Sequence, residues 1–342
     1  MKYLSLLLVG LLLFGCKPKE NSSEKVNTET PQSEPVTITN PLFDRGADPW
    51  IIKDGDVYHY CYAKGNGVAI KTTESIPALR EAPEKVVWKA PKDTQYSKEI
   101  WAPELAIIDG YYYIYVAADN GDNANHRMHV IKSTEKDINS DFEHVGQLKT
   151  QENKWAIDGT VLDYKDQLYF IWSGWEGTEN VAQHLYIAKM DSPTSISSAR
   201  VKISSPDQEW EQRGSNGNLP TINEGPETIV NGDDLFIVYS ASGSWSNFYC
   251  LGMLTLTGND PMDVAAWTKS NGPVFEGADG VYSPGHASFT KVDDQDVIVY
   301  HTAREKGSGW DRKVKVQPFT WEDGKPNFGK PVQDGVEITL SE

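Results

Sequence analysis

The sequence predicts an all-β chain folded as a five-bladed β-propeller, and three observations predict it. One strand–turn–strand pattern recurs five times after residue 40. No amphipathic helix of useful length interrupts it, since Pro261 to Thr268 could supply two turns at most. The copies begin 54 to 66 residues apart, which is room for about four short strands in each.

The first segment reads as an address. Residues 1–15 (MKYLSLLLVGLLLFG) carry one cation, Lys2, and then an apolar run that ends at Cys16. The run is short for a membrane span and has the pattern of a secretory signal. Leu13-Phe14-Gly15-Cys16 resembles a bacterial lipobox, in which Cys16 becomes the lipidated first residue. Residues 16–38 are polar, with Pro and Ser and few large apolar side chains, so they read as a tether. The mature chain is thereby expected at a membrane, facing the periplasm or the cell surface, with its only membrane contact through the lipid. Residues 39–342 then form one domain.

Its five copies start at Asp48 (DPWIIKDGDVYHYCYA), Ala102 (APELAIIDGYYYIYVAA), Asp158 (DGTVLDYKDQLYFIWSG), Glu224 (EGPETIVNGDDLFIVYSA) and His286 (HASFTKVDDQDVIVYHTA). In each, a polar or proline-containing entrance leads into a strand. A tight Asp/Gly/Asn turn and an aromatic, β-branched strand follow. Four strands used five times describe blades around an axis, with the first strands innermost. Cys61 and Cys250 fall in different copies and are expected as separate buried thiols.

Composition excludes partners more than it names them. The 49 acidic residues outnumber the 32 basic ones, a formal net charge of -17, which argues against nucleic acid and anionic lipid surfaces. A propeller would gather its five entrances at one mouth, so Asp48, Asp158 and Glu224 would meet although far apart in sequence. Carboxylates beside Trp101, Trp155, Trp172 and Trp175 suggest carbohydrate chemistry, because sugars pack C–H faces on aromatic rings. Glycoside hydrolysis needs a carboxylic acid to protonate the leaving oxygen and a carboxylate on the opposite face. A third acid can raise the donor's pKa by like-charge repulsion. GxSxG, P-loop, HExxH and Cys/His signatures are missing from the sequence.

Ala47-Asp48-Pro49, Trp101-Ala102-Pro103-Glu104, Ile157-Asp158-Gly159-Thr160, Asn223-Glu224-Gly225-Pro226 and Ser283-Pro284-Gly285-His286, one in each copy, resemble glycoside hydrolase family 43, the arabinofuranosidase, arabinanase and xylosidase group. The resemblance covers residue 40 to the end. It implies an inverting mechanism with Asp48 as general base, Asp158 as the orienting third carboxylate and Glu224 as general acid. Glu227, three residues on, competes with Glu224 for that role but lies inside the strand. The resemblance also places His286 near a central calcium or sodium ion held largely through water, and Arg312 near the funnel. No cofactor is implied for the chemistry itself. Trp101, Trp155, Trp175 and Arg312 are the expected substrate contacts. Tyr239 to Trp245, with Asp260-Pro261-Met262-Asp263 and Trp267-Thr268-Lys269, look most like the exo-α-1,5-L-arabinofuranosidase branch. The implied substrate is plant cell-wall arabinan or arabinoxylan, acted on by a monomer. A β-xylosidase or endo-arabinanase of the same fold, or a non-catalytic glycan-binding propeller, are the competing readings.

Overall fold

The computed structural model describes residues 35–215 and 217–341; the signal segment and Cys16 lie outside them. Among the described residues the chain is all-β, with four short 3-10 turns as its only helical pieces. The five expected hairpins are all present: Trp50–Asp54 with Val57–Ala63, Lys98–Ile108 with Tyr111–Asp119, Ala156–Tyr164 with Gln167–Gly174, Thr221–Asn231 with Asp234–Ala241, and Gly285–Val292 with Gln295–Ala303. Their turns use the expected chemistry. Asp109 and Gly110, and Lys165 and Asp166, both take positive φ, the twist that a two-residue hairpin turn requires.

Each hairpin recruits further strands. The first extends through Gly67–Thr73 to Glu84–Lys89, and the second through Arg127–Ser133 to Phe142–Gln147. Ala182–Ser192 and Val201–Ser204 extend the third, and Cys250–Leu256 and Trp267–Lys269 the fourth. A short parallel pairing of Ala182 and Gln183 with Thr221 and Ile222 links these two into one sheet. The fifth gains Arg312–Pro318, against which Phe43 forms a bridge at Val314. The first strand of each hairpin lies against the first strand of the next, and the fifth returns to the first.

The tether expected to run to residue 38 gives way earlier to structure. Val36–Thr39 is a strand paired antiparallel with Glu337–Ser341, so the two ends of the domain close on each other. The alternation that buries Ile38 and Leu340 explains why these few residues fold. Both join an apolar cluster with Ile51, Val299 and Val316. Asn40, which follows the strand, is buried and clamps Val316: its Nδ2 donates to the Val316 carbonyl at 2.7 Å, and the Val316 N–H donates to its Oδ1 at 3.0 Å. Cys61 and Cys250 are buried free thiols, as expected.

The clamp generates a stability prediction. Asn40→Ala leaves a buried N–H and a buried carbonyl without partners, and urea denaturation should show a loss of about 2–4 kcal/mol.

Candidate active site

A repeated backbone device shapes the mouth of the molecule. Asp48 (φ 48°), Ala102 (φ 42°), Asp158 (φ 52°), Gly225 (φ 54°) and His286 (φ 45°) all sit in the left-handed region. In hairpins two to five the pairing slips at this point, between Trp101 and Glu104, Ile157 and Thr160, Glu224 and Glu227, and Gly285 and Ser288. A bulge bends the strand and re-aims side chains. A non-glycine residue there costs roughly 1–2 kcal/mol, strain of the kind that collects at functional sites.

This register corrects one sequence alignment. The repeat-equivalent residue of the fourth copy is Gly225, and Glu224 stands one position earlier, level with Ala47, Trp101, Ile157 and Gly285. Glu224 nevertheless reaches the same cavity. The reason Gly225 is a glycine is steric, since a Cβ there would approach the His286 ring to 3.1 Å at a φ of +54°.

A cavity of about 640 Å³ opens at this mouth, and Asp48, Asp158, Glu224, His286, Arg312, Trp101 and Trp155 all line it. Trp175 does not. It stacks on the far face of Trp155, ring centroids 4.6 Å apart and planes within 10°, so it backs the wall that Trp155 presents. Trp172 is buried in the same apolar cluster. Glu227 is also away from the cavity; its carboxylate accepts from the Thr160 hydroxyl at 3.2 Å, inside the strand layer beside Glu104.

The charged groups of the site are organised around His286. Its Nδ1 lies 3.2 Å from Asp48 Oδ1 and 3.9 Å from Asp158 Oδ2. Burial alone would lower its pKa, but these two carboxylates raise it to about 9, so the ring is an imidazolium at neutral pH. Burial pushes the Asp48 carboxyl up, and the His286 imidazolium outweighs that and brings it well below the usual carboxylate range. Arg312 adds to the pull, with Nη1 3.4 Å from Asp48 Oδ1. Asp158 accepts the Gly225 N–H at 3.0 Å; burial and the Asp48 charge, partly offset by His286, lift it to about 6. Glu224 is raised to about 7 by burial and then by the Asp158 charge. The Tyr249 hydroxyl donates to Glu224 Oε1 at 2.8 Å. One carboxyl is thus held ionised and another is poised near neutrality, within one cavity.

Tyr249, His301 and Trp310 belong to the site and escaped sequence reasoning. The Asp48 N–H donates to His301 Nδ1 at 3.1 Å, and burial drives the His301 pKa down to about 3, so this ring is neutral. Tyr249 stacks on His301, planes within 8°. A signal existed for His301, a histidine directly after the apolar run Val297 to Tyr300. For Trp310, on a loop and exposed at the rim, none did. Its indole N–H donates to Ser244 Oγ at 3.2 Å, and it meets Trp245 edge-on.

The expected ion at His286 finds little support in the donor set. Among the described residues no group of three or more His, Cys, Asp or Glu side chains is arranged to hold a metal. His286 Nδ1 is engaged by Asp48, and the imidazolium charge opposes a cation.

The chain is similar to known glycosidases. The chain is 36% identical over 323 residues to the extracellular exo-α-(1→5)-L-arabinofuranosidase of Streptomyces avermitilis, covering 90% of this chain and 66% of that protein. It is 32% identical to α-L-arabinofuranosidase 43 of Humicola insolens, covering 89% of this chain and 65% of that one. The chain therefore spans just under two thirds of the length of these relatives. The crystal structure of an α-L-arabinofuranosidase from Lactobacillus brevis superposes with a TM-score of 0.80 at 32% identity, over 87% of this chain and 98% of that one. The model of the glycosyl hydrolases family 43 matches residues 38–326, and the chain belongs to that family.

Proposed function

We propose that the protein is an exo-acting α-L-arabinofuranosidase that releases L-arabinofuranose from arabinan or arabino-oligosaccharides with inversion, on a five-bladed propeller. The observation that carries the chemistry is the placing of two carboxylates in one cavity in unlike surroundings. Asp48 stands against His286 and Arg312, which favour its anion, and Glu224 against Tyr249, where burial and Asp158 favour its proton. The closed sequence of first-strand contacts supports five blades. Relatives whose names carry the arabinofuranosidase activity, matched over about nine tenths of the chain, support the substrate class.

In this reading Asp48 takes a proton from a water whose oxygen bonds to the anomeric carbon. The glycosidic C–O bond breaks as Glu224 gives its proton to the leaving oxygen. Asp158 stays anionic and holds Glu224 protonated; exchange with solvent resets both groups. Trp101 and Trp155 supply the apolar faces for the sugar, and Arg312 holds Asp48. Export with lipidation at Cys16 is the matching proposal for location.

Release of nitrophenol from an aryl α-L-arabinofuranoside, set beside an aryl β-D-xyloside and linear arabinan, tests the substrate class. Turnover of the first and of arabinan is expected; turnover of none would overturn the enzyme reading. Asp48→Asn should cost about 10²-fold or more in kcat on every substrate. Glu224→Gln should show a comparable loss on arabinan but a smaller one on the aryl glycoside, whose leaving group needs less proton assistance.

The pH dependence follows from the signs. Glu224 must be protonated, and its raised pKa makes kcat/KM fall as pH rises through about 7. Asp158 must be charged, and activity falls as pH drops through about 6. A bell with its maximum between those values is expected for wild type. The alkaline limb should vanish in the residual aryl-glycosidase activity of Glu224→Gln.

A further inference from the structure

Behind the Trp101 wall of the cavity sits a buried aspartate–histidine pair that the proposed hydrolysis does not use. Asp119 ends the second strand of the second hairpin, and His126 follows the short helical turn Asn123–Asn125. Their side chains are 1% and 0% exposed. His126 Nδ1 lies 3.1 Å from Asp119 Oδ2, and its Nε2 lies 3.1 Å from the Glu99 carbonyl oxygen. Asp119 is itself fixed, because its Oδ1 accepts the Gly121 N–H at 2.7 Å. The Nε2 edge of the imidazole is thus held by the Glu99 carbonyl, while its Nδ1 edge faces the Asp119 carboxylate.

Its face is spent on tryptophan. The His126 ring stacks on Trp101 with centroids 3.9 Å apart and planes within 28°, and it meets Trp155 edge-on at 6.3 Å. The same turn fixes Trp155 directly, since the Trp155 indole N–H donates to the Asn123 carbonyl at 2.8 Å. Trp101 has one further tie, its indole N–H to Glu99 Oε2 at 3.2 Å. With His126 covering one indole face, Trp101 has the other left to present to the cavity it lines.

We propose that Asp119 and His126 are positioning residues for substrate binding, locking Trp101 flat so that its free face forms a sugar platform. The inference rests on the reading of the cavity as a glycoside site. A platform that touches substrate and transition state alike affects KM more than kcat. An Asp–His pair serving only the fold would instead act on stability, and its effect would not depend on Trp101.

The test measures kcat, KM and thermal melting on an α-1,5-linked arabino-oligosaccharide for Trp101→Ala, His126→Ala, Asp119→Asn and the Trp101→Ala/His126→Ala double variant. His126→Ala should raise KM about tenfold with kcat changed less than about threefold, and Asp119→Asn should raise KM about threefold. In the Trp101→Ala background the His126 substitution should add less than about twofold to KM, because the ring it positions has gone. The same KM increase with Trp101 already removed overturns the inference. So does an unchanged KM in both His126→Ala and Asp119→Asn. Asp119→Asn keeps the shape of the pair and stands in if His126→Ala does not fold. An unchanged KM in Trp101→Ala itself points to failure of the sugar-platform reading, and no turnover by wild type to failure of the proposed function.

Discussion

The site depends on one shared charge, the His286 imidazolium set against Asp48 and Asp158. Buried carboxylates are unstable as anions unless a cation offsets the lost hydration. His286 supplies that cation to Asp48, which stays ionised, and Arg312 stands 3.4 Å away on the same carboxylate. Glu224, one step further round the mouth, receives less of it and more repulsion from Asp158, and it holds its proton to about pH 7. The two protonation states that the proposed hydrolysis needs thus follow from unequal shares of one cation, with burial and Asp158 acting on Glu224.

The backbone is bent to make this arrangement possible. Left-handed residues at all five mouth positions place Asp48, Asp158 and His286 in equivalent turns. Small residues do the rest. Gly225 leaves space for the His286 ring, and at Gly285 a Cβ would fall 2.3 Å from the Tyr249 ring, whose hydroxyl holds Glu224. His286 is tied in turn by its own N–H, which donates to Ser240 Oγ at 2.7 Å. Strain at the mouth is tolerated because the second strand of every hairpin below it is buried over most of its length.

The hairpins were legible in the sequence because turn chemistry and β-branched second strands are local signals. Asp48, Asp158 and Glu224 were legible because each stands at such a signal. The bulge register was not, since an alignment by acidic residues sets Glu224 level with Asp158, whereas the backbone sets Gly225 there. Trp175 misled for a related reason. Its spacing suits the site, but only packing decides that Trp155 occupies the front and Trp175 the back. His301 lies on a second strand and Tyr249 just before a third, where sequence distance from the entrances hides their contact with Asp48 and Glu224. The strand at Val36–Thr39 was hidden by its polar flanks, and its partner is at the opposite end of the chain.

Burial and the Asp158 charge together hold Glu224 protonated near neutral pH. A carbon-13 NMR titration of the Glu224 carboxyl, assigned by difference from Glu224→Gln, measures this directly in wild type and in Asp158→Asn. A midpoint near 7 is expected in wild type, and a clearly lower one once the Asp158 charge is replaced by a neutral amide. A wild-type midpoint in the ordinary glutamate range, or one that Asp158→Asn leaves in place, would contradict it.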